Sequence, residues 1–285
     1  WTNAAITRLE RNARHGADLV LTEAQVRKIE DKNKALIDLG NRPTDPNAKV
    51  TDLPADCSDG RGTNCNYNAA WTDPGSVVMR VHGEGRNGFI TSTANGRVPM
   101  RRDIKIDLYG RRPPPGVAQN DNPEGRSLGE RCILSFGTSS GPVMTPGLYN
   151  NTYQFVQTKD QVAIVVEMVH DARIVRLGSK HRTDGVRPYM GDSIGWWEGD
   201  TLVVETTNFH PLQVFRGSSD NLKVTERFTP VSATRMHYGF WVEDPTVFSQ
   251  PWGGEYEFSR ISGQVYEYAC HEGNYGLANI LSGAR

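Results

Sequence analysis

The sequence lacks any apolar run long enough to cross a membrane. Its longest run, Val162–Val166, ends at Glu167, whereas a spanning helix needs about 20 apolar residues. An excess of charge is also missing, since 32 basic and 33 acidic side chains leave a formal net charge of −1. Without a basic surplus, composition gives no reason to expect nucleic acid or an anionic membrane as a partner.

Metal-binding motifs are scarce as well. Neither HExxH nor CxxC occurs in the 285 residues. Glu167, His170 and His271 carry side chains that zinc accepts as ligands. Without a recognised spacing they give a weak signal, so we expect neither a metal nor another cofactor.

Only four cysteines are present, and four cysteines allow three disulfide pairings. Cys57 and Cys65 bracket a polar loop, whereas Cys132 and Cys270 lie far apart in strand-like sequence. We favour the pairs Cys57–Cys65 and Cys132–Cys270; four free thiols in a cytosolic protein are the alternative. Disulfides persist in oxidising compartments. The chain also begins at Trp1, which we interpret as a removed signal peptide or a trimmed sequence, so we expect a periplasmic or secreted protein.

One segment, Thr22–Leu39, has the pattern of an α-helix. Thr22 can cap its start, and Gln25, three residues later, completes a capping box. Val26 belongs to an apolar face, and Gly40 offers a C-terminal stop. The stretch that follows is rich in Pro, Asp, Asn and Gly and predicts an irregular connection.

Nine later segments have strand-like sequence with turn signals between them. They are Tyr153–Thr158, Val162–Val169, Ile174–Arg176, Ser193–Trp197, Leu202–Asn208, Leu222–Phe228, Met236–Glu243, Glu255–Arg260 and Val265–Cys270. Short strands joined by short turns predict a mostly β fold, an antiparallel up-and-down, lipocalin-like barrel with an N-terminal helix and long loops. A β-sandwich is the alternative.

This pattern divides the chain into two parts. Residues 1–70 are expected to form the helix and a disulfide-stapled irregular segment, packed on a barrel domain of residues 71–285. Within the barrel domain, the segment Arg101–Arg131 carries Pro-rich and Asn-rich runs and predicts a long surface loop. Its role is left open.

Five ionisable side chains interrupt this strand sequence and are the candidate catalytic residues: Glu167, His170, Glu205, Tyr268 and His271. A buried charge without a partner costs several kcal/mol, so each must be paired or must serve chemistry. His, Tyr and Glu can act as general acids or bases. The competing interpretation is a set of ion pairs and hydrogen-bonded strand ends.

Five further residues are candidates for substrate binding. Arg173 could anchor a substrate or simply pair with a carboxylate. Asp192 and Trp197 bring a carboxylate close to an indole, which suits a sugar or apolar ring, and Asn208 and Trp241 are added from later strand sequence. The alternative for the tryptophans is ordinary core packing.

Four motifs resemble those of a large family of exported, mostly uncharacterised bacterial proteins. They are Tyr149–Asn151 with Tyr153 and Gln154, the residues Glu167–Arg173, the run WEGDTLVVETTNF at 197–209 and the run YEYACHEGNYGL at 266–277. The resemblance covers at least Arg131–Arg285. It implies export and a shared fold but no reaction.

These observations lead to three functional hypotheses, given in order of preference. The first is an exported barrel enzyme of lyase, isomerase or hydrolase type, which performs acid–base chemistry on a small organic or sugar-derived substrate in the barrel cavity. The alternative is a non-catalytic periplasmic binding protein for a hydrophobic or aromatic ligand. An envelope interaction protein with a broad apolar patch is a third interpretation. Substrate identity and oligomeric state are left open.

Overall fold

The computed structural model describes residues 1–40, 47, 75–104, 116–135 and 141–284. Within these ranges the chain forms mainly β-strands. Two α-helices are present in this part, α1 (Glu23–Gly40) and α2 (Tyr275–Gly283). The strands are β1 (Val20–Leu21), β2 (Arg80–Val81), β3 (Glu84–Arg86), β4 (Tyr153–Gln157), β5 (Gln161–Val166), β6 (Ala172–Leu177), β7 (Asp192–Glu198), β8 (Thr201–Thr207), β9 (Lys223–Ser232), β10 (Arg235–Glu243) and β11 (Trp252–Ser259).

Strands β4 to β11 form one curled sheet in which neighbours in sequence are neighbours in space. The sheet closes part of the way round as a half-barrel, so the prediction of a mostly β, barrel-like fold is confirmed. Thr2 bridges both Thr152, next to β4, and Ser259, at the end of β11. Its backbone therefore joins the two outer strands of the sheet at one end.

Burial alternates along the strands, as expected when one face of a sheet packs on a core. On β5, Val162, Ile164 and Val166 are buried, and they share the core with Phe240 and Tyr256 from the far side of the sheet. We call this the inner face. The opposite, convex face carries the residues between them.

The pairing of β6 with β7 is parallel, with Val175 opposite Ser193, and this departs from the up-and-down pattern. Residues 178–191 separate the two strands. A connection of this length can return the chain to the start of the next strand, whereas a tight hairpin would reverse it. The crossover brings His181 and Arg182 against Asp192, the first residue of β7.

The capping box of α1 is confirmed. The Thr22 backbone N–H donates to Gln25 Oε1 at 2.9 Å, and the Gln25 backbone N–H donates to Thr22 Oγ1 at 3.3 Å. Val26 on the first turn is fully buried against Leu21 and Val78. The helix thus begins where local sequence predicted it.

The structure corrects the prediction for the C-terminal segment. Residues Val265–Cys270 were predicted as a strand but have irregular backbone, and α2 follows them although no helix was predicted there. After Ser259 the chain leaves the sheet. A strand requires a partner backbone, and within the described residues this segment pairs with none, so its apolar alternation has no sheet to join.

The disulfide Cys132–Cys270 is confirmed, with Cα atoms 5.6 Å apart. It ties the C-terminal segment to a turn that precedes the sheet. The predicted pair Cys57–Cys65 lies outside the described residues. Among the helices that the structure describes, none is long and apolar enough to cross a membrane.

Candidate functional site

A cleft of about 1120 Å³ lies where the C-terminal segment folds back towards the start of β4 and the end of β5. We call it the C-terminal cleft. Its described walls come from five places in the chain: Thr2, Glu167, residues 149–152, and some but not all of the residues in the ranges 129–132 and 261–280. Ile261, Leu277 and Ile280 supply aliphatic surface, while Tyr149, Tyr266 and Tyr268 supply aromatic rings.

Glu167 is the buried carboxylate of this cleft. It follows β5 immediately, where the chain turns out of the sheet through Met168–His170 and Val169 adopts a φ of 55°. The side chain is 8% exposed, and its Oε1 accepts a hydrogen bond from the Tyr266 backbone N–H at 3.2 Å. Within the described residues no Lys or Arg forms an ion pair with it.

Two contacts besides the disulfide hold the C-terminal wall in place. The rings of Tyr149 and Tyr268 are parallel within 6°, with centroids 6.4 Å apart. Asn274 Nδ2 donates to the Glu130 carbonyl at 2.8 Å, while the Asn274 Oδ1 atom accepts from the Leu277 N–H and caps α2. The wall is therefore fixed at several points rather than by the disulfide alone.

The two candidate histidines lie close to this cleft in sequence. His271 is exposed; its neighbours Cys270 and Gly273 line the cleft, but its own side chain is not part of the lining. His170 ends the turn that follows Glu167, and its side chain lies outside the described part of the structure. Acid–base roles for both stay predictions.

Glu205 and Asp192 belong to a different cluster, on the convex face. His181 bridges them: its Nδ1 lies 3.0 Å from Asp192 Oδ2 and its Nε2 lies 3.1 Å from Glu205 Oε1. Lys223 Nζ is 2.7 Å from the other Glu205 oxygen, and Arg176 is 2.7 Å from Asp192 Oδ1. Glu205 thus does not share the C-terminal cleft with Glu167.

Sequence reasoning did not identify His181. It lies in a polar connection whose residues carry no strand or helix pattern. The parallel crossover alone brings it over β7 and β8, so the sequence offers no local signal for its role.

Both carboxylates of this cluster are stabilised in their charged form. Burial opposes ionisation of Asp192, but hydrogen bonds from the Arg182 N–H, His181 and Arg176 outweigh it and lower the pKa of Asp192 below its usual value. The hydrogen bond from Lys223, followed by that from His181, lowers the pKa of Glu205. These hydrogen bonds hold the β6–β7 connection against the convex face of the sheet.

Replacing Asp192 with Asn is expected to cost about 1–3 kcal/mol of folding free energy at pH 7, because His181, Arg176 and the Arg182 N–H lose a buried, charged acceptor. The folded-state pKa is lowered, so this contribution is present above the unfolded pKa of about 3.9 and is lost as pH falls through the folded pKa. Urea denaturation at pH 7 and at pH 3 measures it. Asp184→Asn, which removes an exposed carboxylate paired with Arg182, is the control.

We expect the free energy of unfolding of Asp192→Asn to be lower than that of the wild type at pH 7, and the difference to be smaller at pH 3. Asp184→Asn should have a free energy of unfolding close to that of the wild type at both pH values. An equal difference between Asp192→Asn and the wild type at both pH values would contradict the role of the ionised Asp192.

Arg173 lies on the inner face and is an ion-pair partner. It forms a two-pronged salt bridge with Glu226, and the two residues are 2% and 0% exposed. Tyr238 also donates its hydroxyl to Glu226 Oε1 at 2.8 Å. The pairing with a carboxylate is therefore present, and a role for Arg173 in substrate binding stays a prediction.

The barrel interior beside this pair is filled by the chain itself. Residues 141–145 are buried there. The Met144 backbone N–H donates to the Tyr238 hydroxyl at 3.2 Å, and its carbonyl accepts from the Tyr256 hydroxyl and Asn3. Burial raises the pKa of Tyr153, Tyr238 and Tyr256, so their hydroxyls stay protonated at neutral pH.

The remaining candidates do not converge on one site. Trp197 lies opposite Leu202 on β8, and Leu202 lies opposite Phe228 on β9, so the Trp197 side chain is on the inner face of the sheet. Trp241 lies opposite Thr225 on β9, and Thr225 lies opposite Glu205 on β8, so the Trp241 side chain is on the convex face. Asn208, with a φ of 55°, follows β8. Both indoles are partly exposed, but they lie on opposite faces of the sheet.

Residues 83–88 read Gly-Glu-Gly-Arg-Asn-Gly, a spacing associated with dinucleotide binding. That function requires a turn from a strand into a helix, whereas here the run forms part of the β2–β3 hairpin. Close packing accounts for two of the glycines. A Cβ on Gly85 would lie 2.5 Å from Val26 Cγ2, and a Cβ on Gly88 would lie 2.8 Å from the backbone nitrogen of Arg11.

In the part of the chain that the structure describes, no three His, Cys, Asp or Glu side chains are grouped so as to hold a metal ion. Comparison of the chain with protein-family models, curated proteins and solved structures found no match. The resemblance of its motifs to an exported bacterial family therefore stays a prediction.

Proposed function

We propose that this protein binds a small organic molecule in the C-terminal cleft. The observation that carries the proposal is the combination of a 1120 Å³ concave space, aliphatic and tyrosine walls, and the buried carboxylate of Glu167. Small-molecule sites are typically mostly apolar concavities with a few convergent polar groups. The cleft has this composition.

Two other polar clusters of the sheet are weaker candidates for a ligand site, because their charged groups are already paired with one another. On the inner face, Arg173 and Glu226 balance each other's charge, and the Met144 sulfur contacts the Arg173 guanidinium. On the convex face, His181, Asp192 and Glu205 are paired with one another and with basic neighbours. We therefore place the ligand in the C-terminal cleft rather than inside a lipocalin-like barrel cavity.

We further propose that the protein is exported, to the periplasm or beyond. The Cys132–Cys270 disulfide supports this, because structural disulfides are characteristic of oxidising compartments. The bond also lies in the wall of the cleft, so the same compartment that allows it to form would keep the site intact.

Filling the cleft tests the proposal. Ala269 is exposed and lines the cleft, so Ala269→Trp is expected to block it without disturbing the core. The neutral fluorophore N-phenyl-1-naphthylamine, which brightens in apolar surroundings, is expected to bind the wild type saturably. Its Kd should rise by about tenfold or more in Ala269→Trp, since a bulky indole removes the apolar surface that the probe buries.

Ala278→Trp is the matched control. Ala278 is an exposed alanine on α2 that does not line the cleft, so the same substitution should leave the Kd unchanged. Absence of saturable binding to the wild type, or equal Kd values in the wild type and Ala269→Trp, would refute the site.

Acid–base catalysis on the bound molecule is the second candidate function. Glu167 and Tyr268 both line the cleft, and these residue types can transfer protons. A lyase, isomerase or hydrolase would turn over a substrate that Glu167→Gln still binds but no longer converts. A binding protein would show affinity without turnover in either form.

A further inference from the structure

We infer that the molecule bound in the C-terminal cleft is an organic cation, an amine joined to an apolar or aromatic body. This inference rests on the proposed function and concerns the charge of the ligand. The described lining includes Glu130, Glu167 and Glu267 and contains no Lys, Arg or His. The wall of the cleft is therefore negatively charged, although the whole chain is nearly neutral.

The charges of the three carboxylates are not equivalent. Glu130 forms a salt bridge with Arg126 and accepts hydrogen bonds from Ser127. Glu167 and Glu267 form no ion pair with any Lys, Arg or His whose contacts the structure describes. Two negative charges thus face the cleft without a basic partner in that part of the chain.

Glu167 contributes most to the argument because it is 8% exposed and its Oε1 accepts a single backbone hydrogen bond, from Tyr266. A carboxylate removed from water is destabilised unless a cation or several donors compensate it. An ammonium group entering the cleft would supply both a positive charge and N–H donors. A ligand anion would instead be repelled by both uncompensated carboxylates.

The aromatic walls favour the same ligand class. Tyr149, Tyr266 and Tyr268 all line the cleft, and the faces of tyrosine rings attract cations. Ile261, Leu277 and Ile280 offer aliphatic surface for the apolar body of the ligand. Arg131, Arg260 and His271 are adjacent in sequence to lining residues, but their side chains are not part of the described lining.

Displacement of N-phenyl-1-naphthylamine by three compounds of similar size tests the inference. They are phenethylammonium, the neutral 2-phenylethanol and the anion phenylacetate. We expect phenethylammonium to displace the probe at a concentration about tenfold lower than 2-phenylethanol, and phenylacetate to be the weakest, because a buried charge pair discriminates strongly between ligand charges.

Two variants assign the preference to the cleft. Glu167→Gln is expected to weaken phenethylammonium binding by about tenfold and to leave 2-phenylethanol within about twofold, because only the charged ligand loses an ion pair. Glu267→Gln, at an exposed position where folding is not at risk, should act in the same direction with a smaller effect. Glu272→Gln removes an exposed charge outside the lining and should change neither affinity.

The outcomes separate this inference from the proposed function. Equal displacement by all three compounds, or strongest displacement by phenylacetate, would overturn the cationic ligand while the Ala269→Trp result still supports a site. An unchanged phenethylammonium affinity in both Glu167→Gln and Glu267→Gln would also overturn it. If isothermal titration shows that phenethylammonium does not bind the wild type, the inference fails; if the naphthylamine fails as well, the proposed function fails with it.

Discussion

Replacing Glu226 with glutamine is expected to lower the free energy of unfolding by about 3–5 kcal/mol, because it leaves the Arg173 charge buried without its counter-ion. Neither side chain of this pair has appreciable contact with solvent, and Tyr238 donates to the same carboxylate. A neutral amide can accept from Arg173 but cannot balance its charge. Chemical denaturation monitored by tryptophan fluorescence gives the difference.

Glu198→Gln provides a matched control on the same sheet. It breaks another Arg–Glu salt bridge, to Arg227, in which both side chains are about half exposed. Exposed ion pairs contribute little to stability because water screens their charges. The free energy of unfolding of this variant should therefore be close to that of the wild type.

A double variant, Arg173→Met with Glu226→Leu, distinguishes the buried charge from general damage to the core. Removing both charges is expected to restore much of the stability that Glu226→Gln loses, since a hydrophobic replacement avoids the desolvation cost. A Glu226→Gln protein as stable as the wild type would show that the pair does not hold the interior together.

Replacing both Cys132 and Cys270 with serine is the second large expected effect. The bond closes a loop with a sequence separation of 138 residues, and the chain-entropy estimate for a loop of this size is on the order of 4–5 kcal/mol. The variant is also expected to lose naphthylamine binding, because the bond fixes the C-terminal wall of the cleft. Thermal denaturation and the binding titration measure the two effects.

Local opening would be visible before global unfolding. Amides of residues 261–284 should exchange hydrogen faster in the serine variant than in the wild type, while those of β8 and β9 should stay protected. Adding dithiothreitol to the wild type should reproduce the change, and adding it to the serine variant should not. A variant with wild-type exchange in this segment would show that the tyrosine pair and Asn274 hold the wall without the disulfide.

Local patterns in the sequence predicted much of the fold. Eight of the nine predicted strands correspond to β4 to β11, because alternating burial is a property of each strand by itself. The capping box of Thr22 and Gln25 involves residues only three positions apart, so local sequence predicts it as well. Glu167 and Tyr268 were selected because they interrupt apolar sequence, and both line the C-terminal cleft.

For residues 265–270 the local pattern predicts the wrong structure. Their alternation predicted a strand, yet a strand exists only where a partner backbone is free to pair with it. The preceding chain had already joined β4 and β11 through Thr2. The segment instead became a wall of the cleft, and the short helix α2 follows it.

The sequence by itself determined that the segments of β4 to β11 are strands and where α1 begins, because these depend on short-range periodicity and capping. Its four cysteines limited the disulfide pairings to three without choosing among them. Tertiary structure decided which charges meet. Glu205 pairs with His181 only because the β6–β7 connection crosses over, and Arg173 meets Glu226 only because the sheet curls. Partners of buried charges are fixed by strand order and curvature, which arise from the packing of the whole chain.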